Sequence, residues 1–237
     1  MPDHPLSRLF APVLDAPNRL RACMVVGRLA QSLDGRIATA NGASQWIGGA
    51  EDILHTHRLR ALCHVVLVGA GTIAADDPQL TTRLVPGPHP LRVVLDPARR
   101  LGAAYRVFQE GPPSMLVTTT AGPDTHGQAE VLRVPPDVRT GCDLAALLAV
   151  LAGRGLTRVF VEGGGVTVSR FLMAGLLDRL HVTIAPLILG SGRASFVLPE
   201  VQCIADGLRC PWAVYPLGCD ILVDMQLDGA RPRQPAA

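Results

Sequence analysis

Glu162 closes an apolar run, "RVFV", and three glycines follow at once, Gly163-Gly164-Gly165, before the helix-like segment "VTVSRFLMAGLL". Glycine loses more conformational freedom on folding than any other residue, so three in a row imply that something must come close to the main chain. A strand, a glycine turn and a helix start present bare N–H groups. That geometry suits an anion, above all a pyrophosphate. Thr167 and Ser169 would add hydroxyl donors. On pattern alone a tight turn without a ligand is an equal reading, and the P-loop signature is absent.

Two other loops carry comparable chemistry. In "LVGAGTIAADDPQLTTR", residues 67–83, Gly69-Ala70-Gly71-Thr72-Ile73-Ala74 fits the dinucleotide fingerprint after a strand. Pro78 follows closely and disfavours helical geometry before it, so any helix is about one turn long and a standard Rossmann unit is rejected. Asp76 and Asp77 read either as nucleotide contacts or as turn and cap residues. In "LAQSLDGRIATANGASQWIGG", residues 29–49, Asp34-Gly35 is turn chemistry, while Ser44 and Trp46 could equally serve capping and core packing. Arg60 lies on a segment with helical spacing and Arg83 ends the Asp-rich loop. Arginine is suited to bidentate phosphate recognition, although a scattered Arg is more often a solvated surface charge. His55, His57 and His64 span a helix-to-strand change and share no metal face.

These loops need a scaffold, and the remaining sequence supplies one. Short apolar runs closed by Gly or Pro ("HVVLVGAG", "LRVVLDP", "SMLVTTT", "AEVLRVP", "TRVFVEGGG") alternate with helix-like segments such as "AEDILHTHRLRALC" and "CDLAALLAVLAGRG". In the first of these helices Ile53, Leu54, Leu59 and Leu62 form the expected apolar face. Strands separated by helices predict a mostly parallel sheet with helices on both faces. The last two runs, "WAVYPL" and "CDILVDMQL", have no helix between them and should pair antiparallel at one edge. Open α/β sheets bind ligands beyond the carboxyl ends of their strands, where the three loops fall.

Of 237 residues 48% are apolar and 18% charged, enough for a sizeable core in one domain; the net charge is only +2 and aromatics are 4%. That balance argues against nucleic acid as a partner. No apolar run approaches the ~18 residues of a membrane span. The six cysteines form no C-x-x-C pair and are expected to be reduced. A cytoplasmic protein with no membrane partner is expected, with residues 1–20 an N-terminal extension and 228–237 a disordered tail.

Taken together and in this order, "AQSLDGRIA", "GASQWIGG", "HRLRA", "VLVGAGTIAADDPQLTTR", "RVVLD" and "VFVEGGGVTVSRFLMAGLLDRLHVTIAPLILG" resemble the reductase domain of the riboflavin-biosynthesis pyrimidine deaminase/reductase family, including its stand-alone forms. The resemblance covers about residues 22–227. It implies a dihydrofolate-reductase-like α/β fold and NADPH-dependent reduction of the ribosyl group of a phosphorylated aminopyrimidine to ribityl. In family terms Ala30, Trp46, Gly69, Thr72 and Asp76 match cofactor contacts. So does the segment Gly163, Gly164, Gly165, Val166, Thr167, Val168, Ser169 and Arg170, on the cofactor phosphates. Ser44, Arg60, Leu80, Arg83 and Glu162 match substrate contacts, with Arg60 and Arg83 on the substrate phosphate and Glu162, the catalytic residue, accepting bonds from substrate N–H or hydroxyl groups; no protein general acid is evident. The zinc ligands of the deaminase half are absent, so neither metal nor deamination is expected. Asp96 ends a strand where an acid could bond ribose hydroxyls, and Arg99 or Arg100 could embrace a 2′-phosphate. Many members carry a lysine two residues before the position of Ala30. Here it is Arg28, a planar and permanently charged group that implies a reshaped pocket. A different pyrimidine or pterin-like substrate, or a non-catalytic nucleotide module, are the alternatives. The family is commonly dimeric, so a homodimer is expected.

Overall fold

The computed structural model describes residues 6–14, 22–45 and 47–232. In chain order the elements are α1 (Ser7–Leu14), β1 (Met24–Ser32), β2 (Arg36–Ala38), α2 (Ala50–Leu62), β3 (Val65–Gly69), α3 (Ala70–Asp76), β4 (Leu91–Leu95), β5 (Ser114–Thr118), β6 (Thr125–His126), β7 (Ala129–Arg133), α4 (Leu144–Gly153), β8 (Arg158–Glu162), α5 (Gly165–Met173), β9 (Arg179–Ala185), β10 (Arg193–Ala194), β11 (Trp212–Leu217) and β12 (Asp220–Gln226). Ten strands form one sheet in the order β11-β12-β9-β1-β8-β3-β4-β5-β7-β6, and β2 pairs with β10 apart from it.

Seven adjacent strands, from β9 across to β7, run parallel. Both faces of this block are covered, which is why its strands read as unbroken apolar runs. The pleat divides them by alternation. Val65, Leu67, Val159 and Val161 pack with Leu147 and Leu151 of α4 and Phe171 of α5. Val66, Val68 and Phe160 pack with Leu59 of α2 and Ile73 of α3. The mostly parallel sheet, the helices on both faces and the antiparallel β11–β12 pair at one edge agree with the sequence reading. The short antiparallel β6 at the opposite edge was not foreseen.

Several local expectations change. Helix α3 runs seven residues, longer than one turn, and ends on Asp77 in the left-handed region. Helix α2 buries a polar face beside Leu59 rather than the whole of its expected apolar face. Asp52, His55, Thr56, His57 and Arg60 are buried along with Leu59, while Ile53 and Leu54 are only half-buried. Buried polar side chains need partners, and the sheet beneath α2 supplies those of Asp52, His55 and Arg60. Within the expected N-terminal extension, Leu9 of α1 packs on Leu217 and Leu222. In the expected tail, the Asp228 and Gly229 N–H groups donate to the Asp178 and Leu177 carbonyls, so the first residues of that segment are held.

Candidate active site

Parallel strands put all their carboxyl ends on one edge of the sheet. Strand β8 inserts between β1 and β3, so loops that are far apart in sequence meet at this edge. Arg28 of β1 lies in register with Glu162 of β8 on one side and with His181 of β9 on the other. All three belong to the face covered by α2.

Arg60, in the last turn of α2, reaches Glu162 with two prongs. Its Nε donates to Glu162 Oε2 at 2.8 Å, and its Nη2 donates to Oε1. Its Nη1 donates to the Thr81 carbonyl at 3.0 Å. The expected phosphate contact by Arg60 is therefore not what its side chain does here: it is buried and committed to Glu162. Arg83 is the exposed guanidinium of the pair, steadied by Gln79 Oε1 and Thr81 Oγ1 at 2.9 and 2.8 Å. Burial, then the nearby charges of Arg60 and Arg106, lower its pKa, the mark of a positive neighbourhood that an anion would relieve. The Arg83 backbone N–H donates to His57 Nδ1 at 3.0 Å. Burial first, then Arg60 and Arg83, push the His57 imidazole down to about 4, so it is neutral near pH 7 and a structural acceptor. Leu80 is buried in the core beneath α2 with φ +55, so its side chain serves packing.

The glycine-rich turns face each other across β3 and β8. A Cβ on Gly69 would collide with Thr167 Oγ1, and one on Gly163 would come within 3.2 Å of Thr72 Oγ1. Gly163 also has φ +89, which favours glycine outright. Gly165 is required for a different reason, because the Ser195 carbonyl occupies the place of its Cβ. Of the three consecutive glycines, Gly164 has the most room, with Thr72 Oγ1 at 3.4 Å the nearest atom to a built Cβ. The first N–H groups of α5 have no intrahelical acceptor by construction. These N–H groups could hold an anionic phosphate, although the contacts that require glycine at Gly69, Gly163 and Gly165 are made by the protein itself.

The rest of that segment departs from expectation. Val168 is a core residue, Ser169 Oγ accepts the Val197 N–H at 2.8 Å, and Val166 is exposed. Arg170 lies near Gly141 on the α4 side. Asp76 is exposed at the end of α3, Ala30 is half-buried two residues beyond Arg28, and Ser44 is half-buried after β2. Trp46 lies outside the described residues. Asp96 is fully buried. Its Oδ2 accepts the Leu101 N–H at 2.8 Å and its Oδ1 has no partner among the described residues. Both Nη groups of Arg99 donate at 3.0 Å to the carbonyls of Pro123 and Thr125, which leaves Arg100 as the exposed guanidinium there.

Sequence reasoning missed the polar layer under α2. Asp52 pairs with Arg28 and accepts the Thr183 hydroxyl at 2.6 Å. Beside it His55 Nε2 and His181 Nδ1 stand 3.1 Å apart, and His181 Nε2 lies 3.4 Å from Asp224 Oδ1, too long for more than an electrostatic contact. Burial alone would raise the Asp224 carboxyl, but His181 and Arg179 outweigh it and its pKa is lowered. Burial, then His181, Arg28 and Arg58, push His55 well below the ordinary histidine value. The signal was present in the sequence: Asp52, His55, Thr56 and Leu59 recur at helical spacing and mark one face. Among the described residues no group of three His, Cys, Asp or Glu side chains could hold a metal, and no helix is long and apolar enough to cross a membrane.

The family model described as "RibD C-terminal domain" matches residues 24–211. A protein of Methanothermobacter thermautotrophicus named 2,5-diamino-6-ribosylamino-4(3H)-pyrimidinone 5′-phosphate reductase is 37% identical over 215 residues, spanning 86% of this chain and 98% of that protein. The riboflavin biosynthesis protein RibD of Mycobacterium tuberculosis is 34% identical over 206 residues. There the match spans 85% of this chain but only 53% of the relative, so the chain covers about half of that longer protein. Among solved structures, the diaminohydroxyphosphoribosylaminopyrimidine deaminase/5-amino-6-(5-phosphoribosylamino)uracil reductase of Thermotoga maritima superposes with a TM-score of 0.75 at 29% identity, over 86% of this chain and 56% of that one.

Proposed function

Since the chain belongs to the family of the RibD C-terminal domain, with its dihydrofolate-reductase-like fold, we propose that it is a riboflavin-pathway reductase that uses NADPH to convert the ribosyl group of a phosphoribosylamino-pyrimidine to ribityl. The observation that carries this reading is Glu162: a carboxylate clamped by Arg60, beside Arg28, at the lip of a glycine turn that opens a helix.

The cofactor would be held by the Gly163–Gly164 turn and the first turn of α5, with Gly69 and Thr72 from the facing loop. NADPH contributes the hydride, and the protein contributes orientation and electrostatics. Glu162 accepts hydrogen bonds from hydroxyl or N–H groups of the opened ribosyl chain. Arg60 fixes the carboxylate so that it does not reorganise during the reaction. Arg83, exposed and in a positive neighbourhood, holds the substrate phosphate. Arg28 donates to acceptors on the heterocycle. His57 is neutral and already accepts a backbone N–H, so the proton that completes the reduction comes from water.

Two pyrimidines fit this scheme, the deaminated uracil and the diamino-pyrimidinone. The second is favoured by the end-to-end match to a relative named for it, whereas the matched RibD proteins are about twice as long. The test is steady-state oxidation of NADPH with each pyrimidine in turn. Turnover of either supports the reading, the faster one names the substrate, and turnover of neither overturns it. We also propose a homodimer. The surface we assign to it is the edge strand β11, with Trp212 and Val214 exposed.

A further inference from the structure

We infer that Asp52 is a positioning residue of this site: it acts through Arg28, aiming that guanidinium at the heterocycle and thereby setting which edge of the ring the pocket accepts. The inference rests on the reductase reading above.

Asp52 is a charged residue on the buried face of a helix, which is costly unless the charge is paired and hydrogen-bonded. Both conditions hold. One carboxylate oxygen, Oδ2, takes the Arg28 Nη2 donor, and the other, Oδ1, takes the Thr183 hydroxyl at 2.6 Å. The carboxylate is further fixed from above, because Gly48 lies so close that any Cβ there would overlap the Asp52 side chain. Three elements therefore meet one carboxylate of α2: β1 through Arg28, β9 through Thr183, and the turn before α2 through Gly48.

Arg28 is held at one end only. Its Nη2 is committed to Asp52, while its Nε–H is buried and has no acceptor among the described residues. A buried orphan donor is expensive, and it is tolerated at places that a ligand completes. Arg28 stands in backbone register with Glu162 on the neighbouring strand, so the residue that Asp52 holds starts from the same end of the sheet as the carboxylate clamp. A guanidinium only donates. The matching ligand edge is a carbonyl oxygen or an unprotonated ring nitrogen, and an exocyclic amino group on that edge would set donor against donor. Asp52 thus gives the site a preference for one acceptor-bearing edge of a pyrimidine without touching the ring. The other polar groups of this layer are His55 on α2 and His181 on β9, which face each other. Neither of them bonds Asp52.

Asp52→Asn removes the charge and keeps the shape and the Thr183 acceptor. With NADPH saturating, it is expected to lower kcat/KM for the pyrimidine at least about tenfold, chiefly through KM, while the Kd for NADPH stays within about twofold. Thr183→Val should move the same parameter less, by roughly threefold, because it frees the carboxylate without discharging it. The double variant Arg28→Gln/Asp52→Asn should be no worse than Arg28→Gln alone, since one group acts through the other. An Asp52→Asn enzyme within twofold of the parent, or losses that multiply in the double variant, overturns the inference. If the parent itself turns over neither pyrimidine, the reductase reading fails separately. The ¹⁵N resonance of Arg28 Nε, identified by its loss in Arg28→Lys, then decides: it must shift in Asp52→Asn, and an unmoved resonance overturns the positioning role.

Discussion

Arg60 and Glu162 stand 102 positions apart in the chain, yet they meet as a two-pronged ion pair at the carboxyl end of β8. The pair is nearly enclosed, with side-chain exposures of 9% and 13%. Its geometry follows from the fold: α2 lies over the sheet and its last turn ends above the last residue of β8. Attraction between two partly desolvated charges is worth most when the geometry is fixed, and Thr81 fixes it by accepting the remaining Nη1 donor.

Glu162→Gln should therefore damage turnover and spare cofactor binding. An amide keeps the shape but cannot receive two guanidinium prongs, so a fall of about 10²-fold or more in kcat is expected, with the Kd for NADPH within about twofold. Stopped-flow reduction and fluorescence titration give the two numbers. An unchanged rate removes Glu162 from the chemistry. Arg60→Lys should reproduce most of the loss, because an ammonium is a point charge that cannot form the fork. Arg60→Ala should also cost about 3 kcal/mol of stability by stranding the carboxylate.

The two glycines at the start of α5 should respond differently to the same methyl group. Gly164 has room for a Cβ, so Gly164→Ala should fold normally and lose NADPH affinity by roughly tenfold or more where the phosphates approach the main chain. Gly165→Ala places its methyl on the Ser195 carbonyl and should lower the melting temperature instead. Thermal unfolding with and without NADPH separates the two. Equal affinity in Gly164→Ala and the parent places the cofactor phosphates elsewhere.

Much of this was legible in the sequence because buried parallel strands and glycine turns write themselves locally. β3, β4, β5 and β8 appear as apolar runs closed by Gly, Pro or an acid, and the Glu162 glycine turn stands at the predicted strand end. Pairing was not legible. Arg60 read as a phosphate ligand because nothing local says that a carboxylate 102 positions away claims it. α2 was read with its apolar side inward because hydrophobicity is the usual guide, whereas here Asp52 and His55 face a polar sheet surface made by Arg28, His181 and Thr183, and His57 meets the Arg83 backbone. Likewise Ser169 looked like a phosphate donor, but its hydroxyl is taken by the Val197 backbone. Tertiary partners decide the role of a polar residue, and its neighbours in sequence do not.

Stability should fall on mild acidification. His57 has its pKa depressed from 6.5 to about 4 by burial and by Arg60 and Arg83. His55 is depressed in the same direction. A base with a lowered folded-state value binds protons more readily when unfolded. Its contribution is therefore intact above pH 6.5 and is lost as the pH drops toward 4. Urea midpoints measured from pH 8 to pH 4 should decline mainly in that window, and His57→Gln should flatten the slope. A midpoint independent of pH between 6.5 and 4 contradicts the burial of neutral imidazoles.

Preference for NADPH over NADH should rest on Arg100. Arg99 spends both Nη groups on the Pro123 and Thr125 carbonyls, whereas Arg100 is exposed beside it at the end of β4. Arg100→Ala should weaken NADPH by roughly tenfold and leave NADH unchanged, the signature of one lost phosphate contact. Fluorescence titration with both cofactors measures this, and tighter binding of NADH by the parent protein sinks the assignment.

The outer edge of the sheet should be where two copies meet. Among the described residues strand β11 pairs only with β12, which leaves its other edge open, and Trp212 and Val214 are exposed on one of its faces. Ile221, cross-strand from Pro216, extends the same apolar strip. An open edge strand bearing an exposed Trp invites pairing with another chain, and natural proteins usually cover or charge such edges. None of the six β11 residues is charged. A second copy related by a two-fold axis would cover the strip with its own, since a self-complementary patch closes into a dimer. Trp212→Glu combined with Val214→Glu would place like charges across that axis and should convert the dimer to monomer, with the strands otherwise intact by circular dichroism. Sedimentation velocity at micromolar concentration reads the result. A monomeric parent protein, or a variant that still sediments as a dimer, excludes this face as the contact.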